Sequence, residues 1–146
     1  MLTIFAIPKA FAGHNGVIQR NAIFSWTLLR PRCEILLLGD DEGTKEAAEE
    51  FGATYIPDIA RSEYGTPLLD SIFQVAQDAA TTPLVSYVNA DIILMSDFMA
   101  AVNSVSERDG PFVLSGQRWN LDVTEPIDFQ ENWEDTFRAR TKATGG

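Results

Sequence analysis

Apolar runs and helix-spaced apolar positions alternate along this chain. Residues 2 to 7, LTIFAI, are an apolar run of strand length. Residues 17 to 30, VIQRNAIFSWTLLR, put Ile18, Ala22, Trp26 and Leu29 on one helical face, and EILLLG, residues 34 to 39, is a second strand. In GDDEGTKEAAEEFG, Asp41 or Thr44 suits a helix cap, acids fill the first turns, and Gly52 suits the end. ATYI, residues 53 to 56, reads as a short third strand. Thr66-Pro67 has the form of a cap followed by a first-turn proline, opening a helix with Leu69, Ile72, Phe73, Ala76 and Ala80 on its apolar face. LVSYV, residues 84 to 88, is the fourth strand. Ser96 reads as the cap of a helix carrying Phe98, Val102 and Val105, and PFVLSG, residues 111 to 116, as a fifth strand.

Near-continuous apolar strands alternating with amphipathic helices predict an α/β fold: an open, mostly parallel, Rossmann-like sheet with helices on both faces. Residues 1–117 form this unit, and residues 118–146 are a polar, acidic extension. In the extension, Phe129, Trp133 and Phe137 lie four apart and predict a short helix. The chain stops at Thr-Gly-Gly, which reads as an open end of a truncated or small member of its class.

Length and composition add limits. At 146 residues, with 45% apolar and 22% charged residues, the chain suits one domain with a real core. A net charge of −10 argues against a nucleic-acid polymer as partner, since phosphate backbones need clustered Lys and Arg. The single cysteine, Cys33, makes no internal disulfide and reads as a small core residue. The N-terminus lacks the basic start and cleavage site of a signal peptide, and no apolar run has membrane-spanning length. A cytoplasmic location is expected.

In open α/β sheets, ligands bind beyond the carboxyl ends of the strands, where strand order reverses. The first strand ends at Pro8-Lys9, followed by AFAGHNG; the second ends at Asp40-Asp41; the fourth ends at Asn89-Ala90-Asp91. If the first and fourth strands are neighbours, these tips share one crevice. Each residue also has a plainer reading: Asp40 and Asp41 as helix caps, Asp91 in a turn, Asp97 as support for a helix start, Lys9 and His14 as surface residues. Neither GxGxxG nor GxxxxGK[ST] is present, which disfavours dinucleotide-binding and ATPase readings. Acidic tips instead suit hydrogen bonding to a base or ribose, or a divalent cation that grips a diphosphate.

The order of a Pro-ended first strand, Gly39-Asp40-Asp41-Glu42-Gly43 after the second, and Asn89-Ala90-Asp91 after the fourth resembles glycosyltransferases of the A-type fold, the nucleotide-diphospho-sugar transferase superfamily. The resemblance covers residues 2 to 117 and includes the stretch SEYGTPLLDSIFQVAQDAATTPLVSYVNAD. It implies that Asp40 or Asp41 bonds the nucleotide base or ribose, that Pro8 and Lys9 line the base pocket, and that Arg61 and Gly65 approach the nucleotide. It also implies that Asp91 is the metal ligand of an Asp-x-Asp motif, holding Mg²⁺ or Mn²⁺. Asn89 stands where that motif's first Asp usually is. The family's acceptor-binding half, which carries the catalytic base, has no room in the 29 residues that remain, so the base is not assigned. Glu134-Asp135 is superficially similar to the family's base motif but reads as part of a packed helix. Arg118, Arg138 and Arg140 are candidates to neutralise a diphosphate, or simply exposed arginines.

Two functions follow from the resemblance: transfer of a sugar from a nucleoside diphosphate to an unknown acceptor, or a non-catalytic module that keeps only donor binding. A missing half would leave apolar surface bare, which predicts self-association or a covering partner chain. A phosphoacceptor signalling domain needs acids after the first strand, an Asp after the third and a Lys after the fifth, a pattern this chain lacks. A nucleotidyltransferase needs a Gly-rich basic signature after the first strand, which AIPKAFAGHNG does not match.

Overall fold

The computed structural model describes residues 2–108, 110–117, 121–130 and 132–143. Four strands, β1 (Leu2–Ala6), β2 (Glu34–Leu38), β3 (Thr54–Ile56) and β4 (Leu84–Tyr87), form one sheet in the order β3-β2-β1-β4. All three pairings are parallel, with Ile4 opposite Ile35 on one side and Ser86 on the other. Helices α1 (Gly13–Thr27), α2 (Thr44–Phe51), α3 (Leu69–Ala79) and α4 (Ser96–Ser106) connect or follow the strands, and α5 (Trp133–Ala143) lies in the C-terminal extension. The arrangement is Rossmann-like α/β.

The period-2 alternation of the strands splits the core into two layers. Ile4, Ala6, Ile35 and Leu37 face a cluster built from Ala22, Ile23 and Trp26 of α1, Ala47 and Ala48 of α2, and Met99 and Val102 of α4. Phe5, Leu36 and Leu38 face the opposite way, onto Ile72 and Ala76 of α3. Helices therefore cover both faces, which is why β1 and β2 are mostly apolar on both sides, with Thr3 and Glu34 the polar exceptions. Cys33 is buried beside Met99, and burial pushes its thiol above the ordinary range.

Four local expectations are corrected. Helix α1 runs from Gly13 to Thr27 rather than over 17–30, so His14 sits in its first turn. Residues 111–117 form no strand, and Val113 is 97% exposed. A strand needs a partner ladder, and β-propensity without one is a weak preference. Thr66 and Pro67 do not open α3. Pro67 bridges antiparallel to Arg61 and the Thr66 carbonyl accepts from the Ser62 N–H at 2.7 Å, so a small hairpin holds them and α3 begins two residues later. Ser96 is not a cap: Met95 holds that position, and Ser96 is the first residue of α4. Gly52 ends α2 with φ +71°, as its place in the sequence predicts.

Helix α5 packs back on the domain. Phe129 lies 4.8 Å from Phe24 of α1, Trp133 is 4.9 Å from Phe129, and Phe137 is 6.1 Å from Trp133. The Asn21 side chain on α1 donates to the Glu125 carbonyl and accepts from the Ile127 N–H, pinning the segment that leads into α5. Among the described residues no helix is long and apolar enough to cross a membrane.

Candidate functional site

Because every strand is parallel, the tips of β1, β2 and β4 lie along one edge of the sheet. Strand order reverses between β1 and β4: the chain moves outward from β1 to β2 and β3, then crosses back to the other side of β1. Crevices for ligands form at such points. The β2 and β4 tips flank β1, which by ordinary strand spacing separates them by roughly 10 Å.

The β2 side is a preformed charged group. Arg61 Nη2 lies 3.8 Å from Asp40 and 3.6 Å from Asp41, while Nη1 donates to the Gly65 carbonyl at 3.0 Å. The small hairpin of residues 61–67 thus carries its arginine to the end of β2. Gly39 makes the room: a Cβ there would stand 3.2 Å from Arg61 Nη2, 3.5 Å from Ile59 and 3.6 Å from Ile7. Its φ of +95° also belongs to glycine. Arg61 Nη2 is buried with no hydrogen-bond partner among the described residues, so its charge is balanced by the two carboxylates at ion-pair range alone.

At the β1 tip, Pro8 is fully buried and Lys9 is exposed. The Lys9 backbone is clamped from below: its N–H donates to Gln19 Oε1 at 2.7 Å, and its carbonyl accepts from Gln19 Nε2 at 2.9 Å. Gln19 is a buried polar residue of α1, 3% exposed. The next loop residues are tied to the β2 side, since the Phe11 N–H donates to the Glu42 carbonyl at 2.7 Å and the Phe11 side chain packs on Gly43.

At the β4 tip, Asn89 and Asp91 are exposed and Ala90 between them is buried. The Asn89 carbonyl accepts from the Ile92 N–H at 3.1 Å, closing a turn that turns both polar side chains outward. Asp91 has no hydrogen bond or ion pair among the described residues, so the reading of it as a turn-stabilising acid does not hold. Tyr87, at the end of β4, packs edge-on against Phe5 at 5.5 Å. Burial, with the Asp91 charge adding to it, pushes the Tyr87 phenol above its ordinary value of 10.0.

The structure therefore joins Asp40, Asp41, Arg61 and Gly65 into one group and sets Lys9, Asn89 and Asp91 along the same edge. Among the described residues no hydrogen bond or ion pair links the β2 group to Asp91. Among the described residues there is no group of three or more His, Cys, Asp or Glu that could hold a metal ion.

The remaining candidates belong elsewhere. Both Glu134 oxygens engage the start of α4, accepting from the Ser96 N–H at 2.7 Å and its hydroxyl at 2.8 Å. Arg138 lies 3.7 Å from Asp97. Arg140 donates to the Asp122 carbonyl at 3.1 Å and lies over the Phe137 ring. Arg118 lies outside the described residues. Gln19 and Tyr87 are the edge residues that sequence reasoning did not single out. Gln19 carried a signal, a polar residue beside a helix's apolar face; Tyr87 looked like one more strand residue. The chain matches no protein-family model and no curated protein sequence.

Proposed function

We propose that the carboxyl edge of the sheet binds a nucleoside-diphosphate sugar and that the chain is the donor-binding unit of a glycosyltransferase of the A-type fold. The reading is supported by one conjunction: acids at the tips of β2 and β4 lie on the same edge, on either side of the strand where sheet order reverses. Asp40 and Asp41, held by Arg61, are the acceptors for base N–H or ribose hydroxyl groups. Pro8 forms the floor beside them, and Asn89 and Asp91 face the diphosphate and sugar end. In the reaction, the bond from the sugar's anomeric carbon to the diphosphate oxygen breaks, with the electron pair leaving on the diphosphate. An acceptor hydroxyl bonds to that carbon and gives its proton to a base. Asp91 is the residue that would hold a Mg²⁺ or Mn²⁺ ion, which would supply charge stabilisation to the departing diphosphate.

Titration with UDP and with GDP in the presence of Mn²⁺ tests the reading. Saturable binding of one of them is expected. Asp41→Asn should weaken it about tenfold or more, the value of one charge-assisted hydrogen bond. No heat and no thermal shift with either nucleotide overturns it. A second reading, donor binding without transfer, is favoured by Glu134: the acid nearest in pattern to a catalytic base is engaged by α4. Detection of any transferred sugar removes this second reading.

A further inference from the structure

The charges along the candidate edge do not pair evenly. Arg61 is matched by Asp40 and Asp41, while Lys9 makes no ion pair among the described residues, in a chain with 21 Asp and Glu against 11 Lys and Arg. Its backbone is nonetheless held firmly. Pro8 before it is fully buried, and the Gln19 amide satisfies both its N–H and its carbonyl. Burying a glutamine to secure the backbone of a surface lysine fixes where the ammonium group starts from and leaves its four-carbon stem free to reach outward.

That starting point is the tip of β1, one strand from the Asp40 and Asp41 tip and one strand from Asn89 and Asp91. A ligand with its nucleoside at the β2 tip and its sugar at the β4 tip carries its diphosphate over β1. The acids on either side repel a diphosphate, and the described residues supply no multi-carboxylate metal centre to reverse their sign. Lys45, another lysine near this edge, sits in the first turn of the helix that crosses from β2 to β3, away from the reversal point.

We infer that Lys9 is the diphosphate-binding cation of this site, and that diphosphate recognition does not require a divalent metal; the inference rests on the proposed nucleoside-diphosphate reading. The Lys9 ammonium donates to non-bridging oxygens of the diphosphate, and Gln19 positions it through the backbone clamp.

The test is titration of the full chain with UDP, GDP, uridine and guanosine, in Mn²⁺ and in EDTA, for wild type, Lys9→Met, Lys9→Arg and Lys45→Met. The expected result is diphosphate affinity in EDTA within about threefold of that in Mn²⁺. Lys9→Met should lower diphosphate affinity about tenfold to a hundredfold and leave nucleoside affinity unchanged, as expected for losing a charge-assisted contact to phosphate. Lys9→Arg should keep most of the affinity and Lys45→Met all of it. Equal thermal midpoints for the four proteins show that folding is not the cause. Diphosphate binding that vanishes in EDTA, or that Lys9→Met leaves intact, overturns the inference while the nucleotide-binding reading stands. Absence of binding by all four compounds to the wild type overturns both.

Discussion

At the scale of single residues, two contacts decide how the edge is shaped. Gly43 has φ +87°, and a Cβ placed on it would stand 2.6 Å from the Phe11 Cβ. Both the backbone angle and the space exclude a side chain, so Gly43→Ala should cost about 1–3 kcal/mol. Urea denaturation checks this, and an unchanged midpoint would show that the β1–α1 loop yields freely. Glu34, at the opposite end of β2, gives a pH signature. Burial pushes its carboxyl up, but hydrogen bonds from the Thr81 N–H and from the Thr3 and Thr81 hydroxyls outweigh it, and the net shift is below the ordinary 4.5. A carboxyl lowered by folding stabilises the native state above its unfolded pKa, and that contribution is lost as pH falls through the lower folded value. Glu34→Gln should therefore reduce stability at pH 7 and converge on the wild type in strong acid. Parallel curves at all pH values would show that these bonds do not depend on the charge. The Glu34 network joins residues 3, 34 and 81, and no sequence pattern links them.

At the scale of elements, α4 shows how a helix end is completed from a distance. Its flanking Met95 has no capping side chain, and Glu134 of α5 supplies the acceptor for the Ser96 N–H. A carboxylate there also faces the positive end of the helix. Glu134→Ala should destabilise the protein by about 0.5–2 kcal/mol, the usual cost of a lost cap. Hydrogen exchange should quicken in the first turn of α4, next to the Asn89–Asp91 turn, and unchanged exchange there would mean that water replaces the cap. The sequence carried Ser96 as a plausible cap because a local side chain is the common solution. The actual one comes from 38 residues away, which periodicity cannot encode. The same distinction separates what was legible from what was not. Strands β1 to β4 and the stops at Gly52 were readable because burial and glycine conformation act locally. The Thr66-Pro67 motif failed because a hairpin competed for the same backbone groups. Residues 111–116 failed as a strand because strand formation depends on a neighbour.

For the whole molecule, the same division holds at the site. The acidic tips were legible once alternation implied parallel strands, since parallel strands put their carboxyl ends on one edge. The Arg61 pairings and the Gln19 clamp were not, because they join residues brought together only by the crossovers between strands. The sheet also leaves β4 as an edge strand paired only with β1, and Val113 and Leu69 stand exposed on the surface. An open edge and bare apolar side chains favour association between copies. At neutral pH the net charge of −10 opposes it. That opposition fades as pH approaches the sequence pI of about 4.4. Folding lowers the Glu34 carboxyl below its ordinary value, so its hydrogen bonds support the native fold further into acid than those of an ordinary glutamate would. Light scattering should therefore rise toward pH 4.4 before native circular dichroism is lost, and Val113→Ser with Leu69→Ser should reduce the rise without shifting the pI. Scattering that stays flat from pH 7 to 4.4, or that rises only together with unfolding, would show that the folded surface does not associate.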